Sequence, residues 1–395
     1  MSVHRLAKSL GMVAAAAVLL VPAVWAARPA AAEDGPTIAV GSGETGYAVN
    51  LFGAPEITVV KGTTVTFEAG WLEPHTVTFP GTQAIPSPED PNAAVPTHPG
   101  QVVEYDGTQF VNSGFIASGG TFGENKSFQI TFAKQGSFPY VCIIHPGMEG
   151  TVNVIGGGSV TSQGAIDAAS TTRFASALTA LKAEAKKLAE KQVTKVANAD
   201  GTTTWRVNTV GGIVPPSDVQ QFFPPAMNLQ EGDTVVWESS VPTPHTVTFL
   251  GGADLGKIIA EGPPDILANP KILLPTQAPA AGYDGNGYIN SGVLGITGFP
   301  AGTSYSVKFS KAGSYSYFCI LHVEQGMGGV VNVSAKSAPS QANPAATAST
   351  TPAPPKTGSG DLVADGDAPF IGLMLAGFAV ALLAGVRLVT RRSAR

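Results

Sequence analysis

Cysteine and histidine are scarce in this chain of 395 residues: two of the first, Cys142 and Cys319, and six of the second. His4 belongs to a basic cluster at the N-terminus, so five histidines remain for the rest. Charge is scarce as well, at 13% of residues with a formal net charge of −5. No basic stripe with interleaved aromatics occurs, which speaks against a nucleic-acid partner. Serine nucleophile elbows, His-Glu-x-x-His and phosphate-binding loops are absent, so no familiar enzyme motif is present and the chain is not expected to be an enzyme. Glycine and proline are plentiful, and the length allows two domains of ordinary size.

Both ends carry apolar runs. His4, Arg5 and Lys8 precede an Ala/Val/Leu-rich stretch to about Val24 and then small residues, the pattern of a secretory signal over 1–32, with cleavage after Ala32 or Ala26. Phe370 to Val386 is uncharged and mostly apolar, and Arg387, Arg391, Arg392 and Arg395 follow it. This reads as a transmembrane anchor over 368–390 with a basic cytoplasmic tail, 391–395. The lipid bilayer is then a partner through that helix, and the domains lie extracytoplasmically on a single-pass protein of the cell membrane. Residues 336–367, rich in Pro, Ala, Ser and Thr, read as a disordered stalk. Within it "PPKTG" resembles a sortase sorting signal, but Pro354 stands where that motif has Leu, which counts against transpeptidation at Thr357 and leaves cell-wall attachment as the lesser alternative to the membrane anchor.

The body is duplicated. "KGTTVTFEAGWLEPHTVTF" (61–79) matches "EGDTVVWESSVPTPHTVTF" (231–249), and "AKQGSFPYVCIIH" (133–145) matches "SKAGSYSYFCILH" (310–322). "YDGTQFVNSGFI" (105–116) likewise matches "YDGNGYINSGVL" (283–294). Short alternating segments such as "TVTFEA" and "TVVWES", punctuated by Gly and Pro, predict an all-β sandwich or barrel in each copy, over 37–156 and 203–335. Between them, 157–202 reads as a helical linker. A helix from about Ala165 to Val196 would carry one narrow apolar stripe, Phe174, Leu178, Leu181, Ala185 and Leu188, suited to packing on a neighbouring domain.

The chemistry sits in matched places. Phe138, Tyr140 and Cys142 share one face of a strand, as do Tyr315, Tyr317 and Cys319, so each thiol points into its domain. His145 and Met148 follow the first cysteine, His322 and Met327 the second, while His75 and His245 lie upstream in "PHTVTF". Two His, one Cys and a weak axial Met form a blue-copper ligand set, and a sandwich holding them nearly fixed suits one-electron transfer. A Cys142–Cys319 disulfide would need strand ends of two domains to meet. Structural zinc could use the same Cys and His donors.

On these motifs, "PHTVTF", "YVCIIHPGM" and "YFCILHVEQGM", the sequence resembles the cupredoxins, the plastocyanin- and amicyanin-like blue copper proteins. The resemblance implies two tandem Greek-key β-sandwiches, each with one type 1 copper held by His75, Cys142, His145 and Met148 or by His245, Cys319, His322 and Met327. It implies electron transport with redox partner proteins at the outer face of the membrane, and electron exit through His145 and His322. Related multicopper enzymes need further histidines, and only His98 is spare here. A binuclear copper site needs two cysteines per domain, and each copy has one. The alternative expectation is copper capture or delivery without redox turnover.

Overall fold

The computed structural model describes residues 35–336, apart from 89, 91–93, 121–124, 192, 208–209, 255–258, 262–266, 269–270, 272–273 and 297–301. The signal, the anchor, the tail and the stalk from residue 337 onward lie outside the described residues. Among the described residues no helix is long and apolar enough to cross a membrane.

Alternation in the sequence becomes sheet with one face on a core. Thr64–Ala69 buries Val65, Phe67 and Ala69, and its antiparallel neighbour Ser127–Phe132 buries Phe128, Ile130 and Phe132. In the second copy Thr234–Glu238 buries Val235 and Trp237 against Tyr305 and Val307 of Ser304–Lys308. A five-stranded sheet completes each domain. Its order in the first is Glu56–Val60, Glu149–Ile155, Gly136–Val141, Thr78–Phe79, Val111–Asn112. The second repeats it as Ala226–Gln230, Gly328–Ser334, Gly313–Phe318, Thr248–Phe249, Ile289–Asn290. Interlocked aromatics fill the space between sheets. Tyr140 meets Phe52 at 4.7 Å and Phe67 at 5.0 Å edge to face, and Tyr317 meets Phe222 at 4.8 Å and Trp237 at 5.2 Å in the same way. Such pairs add about 0.5–1.5 kcal/mol each beyond their burial.

The domains are joined by a shared sheet. Tyr47–Phe52 of the first pairs antiparallel with Ser217–Phe222 of the second, Ala48 opposite Asp218, in one seven-stranded sheet. The bulged hairpins on either side have the same register, Val40 opposite Phe52 and Val210 opposite Phe222. Ala48 and Asp218 are therefore equivalent positions, and the two edges meet about a pseudo-two-fold axis, as in a symmetric dimer.

Gln163–Ala189 is a helix capped by Ser162, whose Oγ accepts the Ala165 N–H, with Lys186 and Lys187 at the negative end of its dipole. Phe174, Leu181, Ala185 and Leu188 pack on Ala39 and Val49 of one domain and on Val219 and Phe223 of the other, while Leu178 is half-buried. The helix thus clamps the junction. It ends earlier than expected, because Thr194–Ala197 is a strand paired with Thr203–Val207. The β-branched residues of "TKVANADGTTTW" favour that hairpin, and Gly201 at φ +75° turns it. The segment 157–202 is therefore part helix and part second-domain sheet.

Candidate metal centres

The upstream histidines are fixed through their backbones. His75 exchanges two hydrogen bonds with Ile116, at 3.0 and 2.9 Å, and the Leu294 N–H donates to the His245 carbonyl at 2.8 Å. Two residues on, the Val77 N–H donates to Ser113 Oγ and the Val247 N–H to Ser291 Oγ, both at 2.8 Å. The repeated "VNSG" and "INSG" segments are thus clamps on the histidine strands. Gly41 (φ +67°) and Gly211 (φ +76°) lie at the bulges facing these rings, where a Cβ would collide with the imidazole of His75 or His245.

A tight loop brings the other donors round. The Cys142 N–H donates to the Met148 carbonyl and the Met148 N–H to the His145 carbonyl, both at 2.9 Å. In the second copy the Cys319 N–H donates to the Met327 carbonyl and the Met327 N–H to the His322 carbonyl, both at 3.0 Å. Met148 and Met327 are fully buried. The outcome is two buried groups, His75/Cys142/His145 and His245/Cys319/His322, each with its donor atoms within 4.8 Å of one another. Cys142 Sγ is 4.0 Å from His75 Nδ1 and 3.5 Å from His145 Nδ1, and Cys319 Sγ is 3.9 and 3.4 Å from the equivalent atoms. Both cysteines are free thiols, in line with their places at strand ends of separate domains. His98 belongs to neither group and pairs with Thr97 Oγ1 at 2.9 Å.

Electrostatics prepares each group for a cation. Burial raises the Cys142 thiol, but the charge and hydrogen bonds of His145 and His75 outweigh it and bring the thiol down to about 5. Cys319 is lowered well below its ordinary range by His322 and His245 against the same burial. Burial pushes His75 and His245 down, so these rings are neutral donors. His145 and His322 rise against burial to about 10 and about 9 beside the thiolates and Glu73. A positive charge is therefore favoured beside each thiolate, where a thiophilic metal would replace the proton. One thiolate and two converging imidazole Nδ1 atoms, with a buried thioether in the same loop, fit copper.

Two kinds of participant escaped the sequence reading. Thr76 and Thr246 donate their backbone N–H to the cysteine sulfur at 3.3 Å and accept the N–H of Ile143 and Ile320 on Oγ1 at 2.9 Å. Their repetition directly after each histidine was the available signal. Glu73 had none, since Thr243 occupies its place in the second copy. Glu73 is 1% exposed, and its Oε1 lies 3.5 Å from His145 Nε2 and 3.9 Å from His322 Nε2. His145 and His322, the two histidines expected to lead electrons outward, both turn Nε2 toward Glu73 and are 7% and 2% exposed. Both histidines line a cavity of about 330 Å³, whose walls include Pro146, Pro216, Pro244, Ile296 and Asp218.

Residues 214–334 match the family of copper-binding proteins described as plastocyanin/azurin. Plastocyanin of Scenedesmus fuscus is 29% identical over 112 residues, 28% of this chain and 85% of the relative. Chloroplastic plastocyanin of Tetradesmus obliquus is 28% identical over 112 residues, again 28% of this chain and 57% of that protein. Among solved structures, amicyanin from Paracoccus versutus is 22% identical with a TM-score of 0.18, covering 33% of this chain and 87% of its own. The second domain carries the family match, and the first repeats its five-stranded sheet and its His/Cys/His group. These matches support a cupredoxin family for the chain, with two domains in tandem and, in each, a His/Cys/His group consistent with copper as the cofactor.

Proposed function

We propose that the chain carries electrons singly on two type 1 copper sites. His75, Cys142 and His145, with Met148 as axial donor, would hold one copper, and His245, Cys319 and His322, with Met327, the other. Bound copper supplies a Cu(I)/Cu(II) couple that takes up and releases one electron. The protein supplies a nearly fixed donor set: the thiolates are held by the threonine N–H donors, and the upstream histidines by the serine clamps. The observation that carries the reading is the pair of complete, buried His/Cys/His groups. Capture and delivery would be better served by Met-, His- or Cys-rich clusters, and this chain has one Cys per domain and six Met in all.

Redox partner proteins would dock over the mouth of the proline-lined cavity, whose lining includes both ligand imidazoles. The signal at 1–32 and the segment 368–390 support export and anchoring, with both domains at the outer face of the membrane. The full chain loaded with Cu(II) should show an intense thiolate-to-copper visible band, two coppers per chain and reversible one-electron reduction. Colourless binding of Cu(I) alone would instead support copper delivery.

A further inference from the structure

Glu73 belongs to the first domain, yet its contacts belong to both. Oε1 faces His145 Nε2 at 3.5 Å and His322 Nε2 at 3.9 Å, one imidazole from each donor group. Oε2 accepts two amides of the second domain, Gln220 Nε2 at 2.8 Å and Gln325 Nε2 at 3.1 Å. All of these side chains are buried, so the carboxylate is screened little by solvent. Both carboxylate oxygens thus face N–H donors, two imidazoles on one side and two amides on the other, surroundings that suit the anion. With Nδ1 of each imidazole turned to a thiolate, Nε2–H is free to donate to a carboxylate, the arrangement that orients a metal-ligating histidine and raises its basicity.

The unequal loops serve this contact. Cys142 to Met148 and Cys319 to Met327 differ by two residues, and the longer loop contains Gln325. Gln325 is 1% exposed, reaches Glu73 through its side-chain amide and accepts the Gly46 N–H on its backbone carbonyl at 2.8 Å. Gln220, which also reaches Glu73, lies on the strand that pairs with Tyr47–Phe52, and its N–H donates to the Gly46 carbonyl at 2.9 Å. The same two residues hold the domains together and hold the carboxylate between the centres.

We propose that Glu73 is a positioning residue shared by both metal centres: one carboxylate sets the orientation and basicity of His145 and His322 together, so the two sites are tuned as a pair. This rests on reading both groups as copper sites. A negative charge beside both imidazoles favours Cu(II) over Cu(I) at each site. Removing it shifts both potentials upward, although residue 73 is part of only one domain.

The test compares the full copper-loaded chain with Glu73→Gln, a neutral isostere that keeps an acceptor, and with Glu73→Asp. The signals of the two sites are assigned in Cys142→Ser and Cys319→Ser backgrounds. Glu73→Gln is expected to change the Cu(II)-to-Cu(I) preference at least tenfold at both sites, about 59 mV upward for a one-electron couple. Glu73→Asp should recover part of each shift. A shift confined to the first site, or none at either, overturns the proposal. Cu(II) affinity is measured by chelator competition on the same samples, with a weakening at both sites expected. If the wild-type chain binds copper without reversible reduction, the carrier reading fails, while the affinity comparison still decides whether Glu73 serves one site or two.

Discussion

In the second domain Thr243 Oγ1 lies 3.0 Å from His245 Nε2. At the equivalent place in the first domain Glu73 turns away to the junction, and His75 Nε2 has no hydrogen-bond partner among the described residues. The donor groups are otherwise alike, down to the threonine at each sulfur and the glycine beneath each upstream ring. One position has taken two tasks. In the second copy it completes its own site, and in the first it leaves a buried polar atom unsatisfied, a cost of about 1–3 kcal/mol, and serves the pair instead. Duplicated sites can therefore share a ligand set and still divide the labour of the residues behind it.

The likeness breaks most sharply at the sulfur. Cys142→Ser or Cys319→Ser should each remove one of two coppers and the visible band of that site, leaving the other band in place; metal analysis with absorption spectroscopy reads both. If either substitution bleaches both bands, the centres do not bind independently.

A second difference lies on the pseudo-two-fold axis, where Ala48 faces Asp218. Burial pushes the Asp218 carboxyl up to about 7, even though His145 and His322 lower it, and Asn50 Nδ2 donates to it at 2.9 Å. Because the folded-state value lies above the ordinary 3.8, the stability linked to the protonated acid is complete at low pH and is lost as pH rises through about 7. Denaturation at pH 5 and pH 8 should show a loss of roughly 2–3 kcal/mol, and Asp218→Asn should flatten it. An unchanged pH slope in that variant would place the dependence elsewhere. The smallest effect expected is that of Thr243→Val, which leaves His245 Nε2 as unpartnered as His75 Nε2. It should cost about 1 kcal/mol in denaturation and move the electron paramagnetic resonance signal of the second site toward that of the first.

The donor groups were legible in the sequence because each strand and loop repeats with its chemistry attached: His75 with His245, Cys142 with Cys319. The alternating strands were legible for the same reason, since period two with one buried face is written in "TVTFEA" and "TVVWES". The helix stripe was readable except for its end, since the helix stops at Ala189 and a hairpin strand begins at Thr194. The turning of both His145 and His322 toward Glu73 was not readable. It follows from an edge pairing between Ala48 and Asp218 that leaves no pattern within either strand, from Glu73, whose place Thr243 takes in the other copy, and from Gln325, which lies in the extra length of the second loop.

Joining the domains covalently has a chemical consequence at the axis. Two identical domains meeting edge to edge would each present residue 73 to the same cavity, placing two carboxylates side by side where like charges cannot both ionise cheaply. In one chain the equivalents are free to differ, and Thr243 and Glu73 line the same cavity. A single carboxylate at this position, between two cationic centres, is thus open to a fused pair and closed to a homodimer, so mixing the separated domains in any symmetric combination would not rebuild it.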